Sequence, residues 1–490
     1  LRRWVGRRGD FHCRENQLNF SKPSLWIGGA VGLCLLLYFA NLNLQYFGNI
    51  SFLAAILGLE LLIASLWNFE QRFLAVLIVI FVCAGIRVPL QSAGTIGRWA
   101  VLFAGATVGS IIWLKSPHRP FRTMHLVAFF CVIAAFVSAT VSPFIQMASL
   151  KAFSLTLLFL YCSAGARLAL NGREARFFKG LLWGVEIAVY ITAICYFGLG
   201  IPLWGNPNSL GAAMSIACFP ILLWGWIASE GPIGNVHRLF ALILCTYLIR
   251  FSLARAGMVA IVLVTVVFCV CLQQYKLLVK VSALILLLVA VAGTFAPHTL
   301  TKQLNDLSDA MLYKGHKEEG VLGSRRSPWD TSISSIKAHP WFGTGYGTSP
   351  TGEDPGLAFG TVNSSAETER EHGSSYITIV EWVGLFGVLP FIALLGVTVS
   401  NLVKVCLRMK RTLDPKHYSI PLAMVVLAGF VHATFEDWLF AVGSYLCLFF
   451  WVSAFLLADL VPDAVEIPSQ IAVRSSHPAP VDFGVVAPNR

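Results

Sequence analysis

Glu371-His372-Gly373-Ser374-Ser375-Tyr376-Ile377-Thr378-Ile379-Val380-Glu381-Trp382-Val383-Gly384-Leu385-Phe386-Gly387 is the point at which a hydrophilic loop turns into a membrane span. Ser374 or Ser375 can cap a helix, and the apolar residues that follow continue to about residue 403, so the helix runs on at bilayer-spanning length. Upstream, His298 to Ser374 form an irregular hydrophilic stretch of about 77 residues. Backbone inside a bilayer must be hydrogen-bonded within the chain, so such a stretch stands in water. Its charges are candidates for chemistry.

Working outward, the rest of the chain is apolar. Hydrophobic residues make up 56% of the 490 and charged ones 12%, with a mean hydropathy of +0.71. That excludes a single soluble core and predicts an all-α polytopic membrane protein of about 12 to 14 transmembrane helices, with one long, partly helical loop between late spans. Apolar runs place spans near 24–41, 50–67, 73–87, 97–114, 124–141, 150–170, 178–199, 208–228, 238–251, 255–273, 278–296, 376–403, 418–435 and 437–460. The run at 238–251 is short and could join its successor in one kinked helix. The expected organisation is a basic tail (1–23), a first helical block (24–297), the loop (298–374), a second helical block (375–460) and a disordered tail (461–490) rich in Pro, Val, Ala and Ser.

Charge orients the spans. With the N-terminus in the cytoplasm, inner loops and tails carry 24 Lys and Arg, while the short outer loops carry 5, namely Arg87, Arg98, Lys151, Arg250 and Arg255. The bias follows the positive-inside rule, putting both termini in the cytoplasm and the long loop on the far side. The net charge of +11 is then an orientation signal and calls for no nucleic-acid partner. The first 23 residues are too long and mixed for a signal-peptide leader, and no small-residue cleavage pattern follows the first apolar run. Nearly all of the twelve cysteines sit in apolar runs and read as small core hydrophobes.

A few residues break the membrane rules. Arg250 and Arg255 flank Phe251-Ser252-Leu253-Ala254 at the outer end of two spans; they either snorkel to headgroups or form an anion site, which they share only if the helix breaks between them. In the loop, Gly323-Ser324-Arg325-Arg326-Ser327-Pro328-Trp329-Asp330 reads as a helix start with Ser327 as N-cap, running to about Lys337 with an apolar stripe of Trp329, Ile333 and Ile336. Arg325 and Arg326 precede the positive end of that helix, a repulsion that a bound anion would relieve. The alternate glycines of His339-Pro340-Trp341-Phe342-Gly343-Thr344-Gly345-Tyr346-Gly347 make either a tight structural turn or a backbone phosphate cradle. His372, at the water–membrane boundary, is suited to take a proton from a hydroxyl. Glu60, Glu186 and the pair His432/Glu436, taken to lie one helical turn apart, are either functional carboxylates or interhelical contacts. His298, His316, His339 and His372 follow no metal-ligand spacing, so neither a metal nor another cofactor is expected.

Together these elements resemble the O-antigen ligase and polymerase (Wzy-like) family of bacterial envelope glycan assembly. The resemblance is carried by Gly205-Asn206-Pro207-Asn208-Ser209-Leu210-Gly211, by Ser252-Leu253-Ala254-Arg255-Ala256-Gly257, by Arg325 four residues before Trp329 and the following His339–Gly345 run, by His372, Tyr376, Glu381 and Gly384-Leu385-Phe386-Gly387, and by Val431–Glu436. It covers about residues 200–460. It implies a metal-independent glycosyltransferase of the inner membrane that takes a glycan from an undecaprenyl-diphosphate carrier on the periplasmic side and passes it to an acceptor hydroxyl, on lipid A core or a related glycan; a lipid diphosphate is a stabilised leaving group, so an inverting single displacement is expected. The implied roles are Arg255 and Arg325 on the diphosphate and His372 at the acceptor hydroxyl; Arg250, Arg326, Asn206, Asn208, Tyr376 and Glu381 are further substrate-binding candidates, and membrane lipids surround the spans. A polymerase joining repeat units is the alternative within the family, and a transporter of lipid-linked sugars the alternative outside it. The chain departs from the family's pattern in the spacing from His372 to Gly384 and in Ala-Gly-Met-Val after Arg255.

Overall fold

The structure is a computed structural model that describes residues 73–87, 91–115, 122–170, 173–228, 232–295, 323–348 and 372–461. The expected spans 24–41 and 50–67, the N-terminal tail, the C-terminal tail beyond residue 461, Glu60, His298, His316 and segments 298–322 and 349–371 of the long loop lie outside the described residues. The described regular structure is helical throughout. In chain order it comprises α1 (Phe73–Gly85), α2 (Gln91–Lys115), α3 (Thr123–Val141), α4 (Ile145–Leu160), α5 (Glu174–Ala193), α6 (Pro207–Ala212, resumed as Phe219–Ile227) and α7 (Pro232–Ser252). There follow α8 (Arg255–Cys271), α9 (Tyr275–Phe295), α10 (Gly323–Ala338), α11 (Ser375–Thr412), α12 (Ser419–Ala433) and α13 (Tyr445–Leu460). Single π-helical turns extend α4 and α5 and join the two parts of α6.

The chain is an all-α polytopic membrane protein. The stretches Thr123–Val141, Ile145–Ala164, Glu174–Gly198, Pro207–Ile227 and Ser375–Thr412 are each long and apolar enough to cross a bilayer. Their outward faces carry Phe129, Phe136, Trp183, Leu389 and Ile392, all exposed, which suits acyl chains and not water. Cys131, Cys162, Cys218, Cys245, Cys269 and Cys447 are buried and free, as core residues.

Side-chain and loop hydrogen bonds sort the connections into two ends of the bundle. At one end Arg87 N–H meets the Leu203 carbonyl, Arg98 donates to Gly443 O at 2.7 Å, and Lys151 donates to Gly347 O at 2.6 Å. At the other, Arg167 pairs with Asp459, Arg122 reaches Ala458 O, and Trp224 donates to Pro415 O. Glu186 makes an interhelical contact, 3.8 Å from Arg238 and 3.9 Å from His237 of α7.

Three expectations are corrected. The short run 238–251 is a full helix of 21 residues, separated from α8 by a break at Leu253, whose φ is +52°. The last span begins at Tyr445, not 437, because Ser444 caps it by accepting from Leu446 N–H; residues 434–444 are a loop, so Glu436 is not one helical turn from His432. The loop helix begins at Gly323, four residues before the expected cap Ser327, with Pro328 inside it. Pro328 has no N–H for the residue-324 carbonyl, but the Trp329 contact described below holds these first turns.

The break in α11 matters most for the site. Gly384 lies at φ +68° and ψ −177°, so the helix is interrupted there, and the orphaned polar groups find partners in the loop after α10. Thr344 and Gly345 N–H donate to Glu381 O and Trp382 O, and Leu385 and Phe386 N–H donate to Pro340 O and Trp341 O. The strands of chain lie so close that a Cβ at Gly343 would stand 2.4 Å from Trp382 O, and one at Gly384 would stand 2.4 Å from the Trp341 carbonyl carbon. The glycine run is therefore a structural dock, and the N–H groups of Thr344 and Gly345 are already used. Tyr346, fully buried, secures the dock by donating to Phe440 O at 2.9 Å. Trp341 and Phe386 stack at its exposed edge, where interfacial aromatics belong.

Candidate active site

Three pieces of chain meet beside this break: the first turns of α10, the entry to α11 and the loop before α13. Gly373, at φ +72°, turns the chain into α11 with Ser374 at the N-cap position, although the Ser374 side chain makes no cap bond. Ser375 instead ties the entry to the α12–α13 loop: its N–H and its hydroxyl both donate to Glu436 O, at 3.0 and 2.6 Å. The same hydroxyl oxygen accepts from Leu439 N–H at 3.1 Å. The Trp329 indole N–H donates to Gly373 O at 3.1 Å, which docks α10 on the turn.

This framework fixes His372. Its backbone N–H and its Nδ1 both lie 3.1 Å from Asp437 Oδ2, so Nδ1 carries the proton that it shares with the carboxylate. The other ring nitrogen, Nε2, is enclosed, makes no hydrogen bond, and stands 3.7 Å from Oε2 of Glu381, itself fully buried in α11. A buried ring nitrogen without a hydrogen bond is a natural position for a reacting group. Burial pushes the Asp437 carboxyl up, but the hydrogen bonds from the His372 ring and backbone, with the charge of His372, outweigh it and hold the group below its ordinary 3.8. Asp437 is thus a stable anion at the edge of the ring.

The arginines approach from two sides. Arg325, buried in the first turn of α10, pairs through Nη2 with Glu436 Oε1. Arg255 opens α8, half-buried and near enough to Arg325 for their charges to repel. Its helix is set by two glycines. A Cβ on Gly211 would meet the Ala254 side chain at 2.2 Å, and one on Gly257 would meet Gly211 O at 3.2 Å, so α6 and the α7–α8 turn pack backbone to backbone.

His372, Glu381, Arg325 and Arg255 are therefore gathered at one end of the bundle. The remaining sequence candidates have other placements. Arg326 is 78% exposed and its guanidinium lies 4.0 Å from Asp330 on its own helix. Arg250 is exposed in the last turn of α7; the break that would let it share a site with Arg255 is present. Asn206 caps α6, its side chain accepting from Ser209 N–H at 2.7 Å, and Asn208 is half-buried in that first turn. Tyr376 donates to Phe430 O at 2.8 Å, a bond between α11 and α12. His432 accepts from Trp438 Nε1 at 3.1 Å and is buried.

Asp437 is the residue that the sequence reading missed, because Asp437 was absorbed into the start of an overlong last span. The signal was present in Glu436-Asp437, two adjacent carboxylates in the gap of an apolar hairpin. One holds Arg325 and the other holds His372.

Residues 240–392 match the family model described as O-antigen ligase. The match bears out the family resemblance over the stretch that carries Arg255, Arg325, His372 and Glu381, and it points to a membrane glycosyltransferase in general terms. No curated protein matches the chain.

Proposed function

We propose that the protein is an O-antigen ligase-type transferase that moves a glycan from an undecaprenyl-diphosphate carrier to a hydroxyl of lipid A core or a related glycan, on the periplasmic side of the bacterial inner membrane with both termini in the cytoplasm. The observation that carries this reading is the meeting of an oriented histidine with two arginines at the end of the bundle where the long loop joins it. The acceptor oxygen attacks the anomeric carbon, the bond from that carbon to the diphosphate oxygen breaks, and the configuration inverts. The hydroxyl proton passes to Nε2 of His372, and Asp437 stabilises the resulting imidazolium. Glu381 beside Nε2 is placed to share that proton. Arg325 and Arg255 hold the diphosphate as its charge grows; planar guanidinium forks match phosphate oxygens and stay charged.

The test is transfer by the purified chain in detergent, from carrier-linked glycan to an added acceptor with no membrane to cross. Product formation supports the enzyme; its absence, with glycan movement across vesicles, would favour a transporter. A ladder of extended donor in place of capped acceptor would identify a polymerase.

A further inference from the structure

Glu436 and Asp437 are neighbours, but their carboxylates serve different groups, and the Arg325–Glu436 pair has no place in the chemistry above. We infer that Glu436 is an internal competitor for the donor's diphosphate: its carboxylate holds Arg325 before the donor binds, yields the guanidinium to the diphosphate, and reclaims it to expel the diphosphate product. The inference rests on reading Arg325 as a diphosphate ligand.

Aiming Arg325 does not require Glu436. The arginine projects from α10, which the Trp329–Gly373 hydrogen bond already docks, and its Cδ lies against Gly373, 3.4 Å from where a Cβ would stand. Glu436 in turn does not depend on Arg325 for its own position. Its backbone carbonyl is fixed by two bonds from Ser375, so the entry to α11 is tied to the backbone of Glu436 and not to its carboxylate.

Charge supplies the reason for the pair. Arg325 and Arg255 repel one another in a partly enclosed mouth, and a cation there without a counter-anion is costly. A carboxylate on Arg325 relieves that cost before the donor arrives. A diphosphate carries more charge and more acceptor oxygens than one carboxylate, so it wins the guanidinium when present. The same carboxylate, displaced but still nearby, repels the diphosphate left after transfer. Glu436 therefore weakens binding of donor and product alike and speeds release of the product, which carries no glycan to hold it.

The probe is geranyl diphosphate, a short isoprenyl diphosphate, titrated calorimetrically into the full chain in detergent, with geraniol as the uncharged control. Glu436→Gln should bind it about tenfold tighter than the unaltered chain. The gain should vanish when Arg325→Ala is added. In the transfer assay Glu436→Gln should show a lower KM for donor, a lower kcat, and stronger inhibition by geranyl diphosphate. Equal or weaker binding by a Glu436→Gln protein with an unchanged melting transition would overturn the inference and make Glu436 an aiming residue. Should that variant melt early, Glu436→Ala is read by the same criterion. If Arg325→Ala alone binds as well as the unaltered chain, the diphosphate reading of Arg325 fails; if it binds weakly while Glu436→Gln is no tighter, only the competitor role fails.

Discussion

Replacing Asp437 by asparagine keeps the side chain's shape and removes its charge, and the consequence can be worked from its contacts. One oxygen, Oδ2, accepts from both the backbone N–H and Nδ1 of His372 at 3.1 Å. A hydrogen bond to a charged group contributes about 1.5–3 kcal/mol. An amide that no longer holds the ring in this tautomer should lower the population of productive imidazole, and with it kcat, by roughly 10- to 150-fold. The ceiling is the ~10²–10⁴-fold that a general base supplies. Affinity for the lipid-linked donor, which depends on the arginines, should change by less than about twofold. Single-turnover transfer with saturating donor measures the first quantity, and direct titration of donor measures the second. The carboxyl is held below its ordinary 3.8 in the folded protein, so its contribution to stability is fully present above that value and is lost only as pH falls through the lower folded value. The difference in Tm between the unaltered chain and Asp437→Asn should therefore stay level from about pH 5 to 8 and close only in stronger acid. A variant with kcat within about twofold of the unaltered chain would refute the orienting role.

Arg325→Ala should lose transfer by about 100-fold or more, whereas Arg326→Ala, whose side chain is 78% exposed, should transfer nearly normally. Arg255→Lys keeps the charge but loses the fork, so a large loss is expected in the same assay, with Arg255→Ala worse. Gly384→Ala would press a methyl to 2.4 Å from the Trp341 backbone at φ +68°, and should lower stability by about 2–4 kcal/mol, read as a drop in Tm in detergent, with transfer lost as the glycine dock detaches. In a background without native cysteines, Lys337→Cys should react with a membrane-impermeant thiol reagent in cells with a permeabilised outer membrane, and Lys410→Cys should not; reversed labelling would invert the topology.

The sequence was most readable where one physical rule dominates. Apolar length alone located α3, α6 and the start of α11 to within one residue, because a bilayer imposes it. It failed where local chemistry competes with hydropathy. The break at Gly384 lies inside an unbroken apolar run and is visible only through the loop that docks into it. The gap before α13 was read as membrane because Trp438, Leu439 and Phe440 are apolar, yet Leu439 donates its N–H to Ser375 Oγ and the segment serves the site. Charge patterning singled out Arg255, which is out of place for hydropathy and orientation; Arg325 and His372 stood out by their places at a loop-helix start and at the water–membrane boundary, and the family resemblance gave all three their roles. It could not separate Arg325 from Arg326 beyond a spacing argument; burial does, because only Arg325 turns inward. Asp437 required tertiary contact between segments 65 residues apart, which no local pattern encodes.

The central claim is that one histidine activates the acceptor while arginines hold the donor, and His372→Gln tests it most directly. Donor affinity and the rate of a single transfer turnover should be measured on the same purified preparation. The account predicts donor affinity within about twofold of the unaltered chain and a transfer rate lower by ~10²–10⁴-fold. Full transfer by His372→Gln would contradict it.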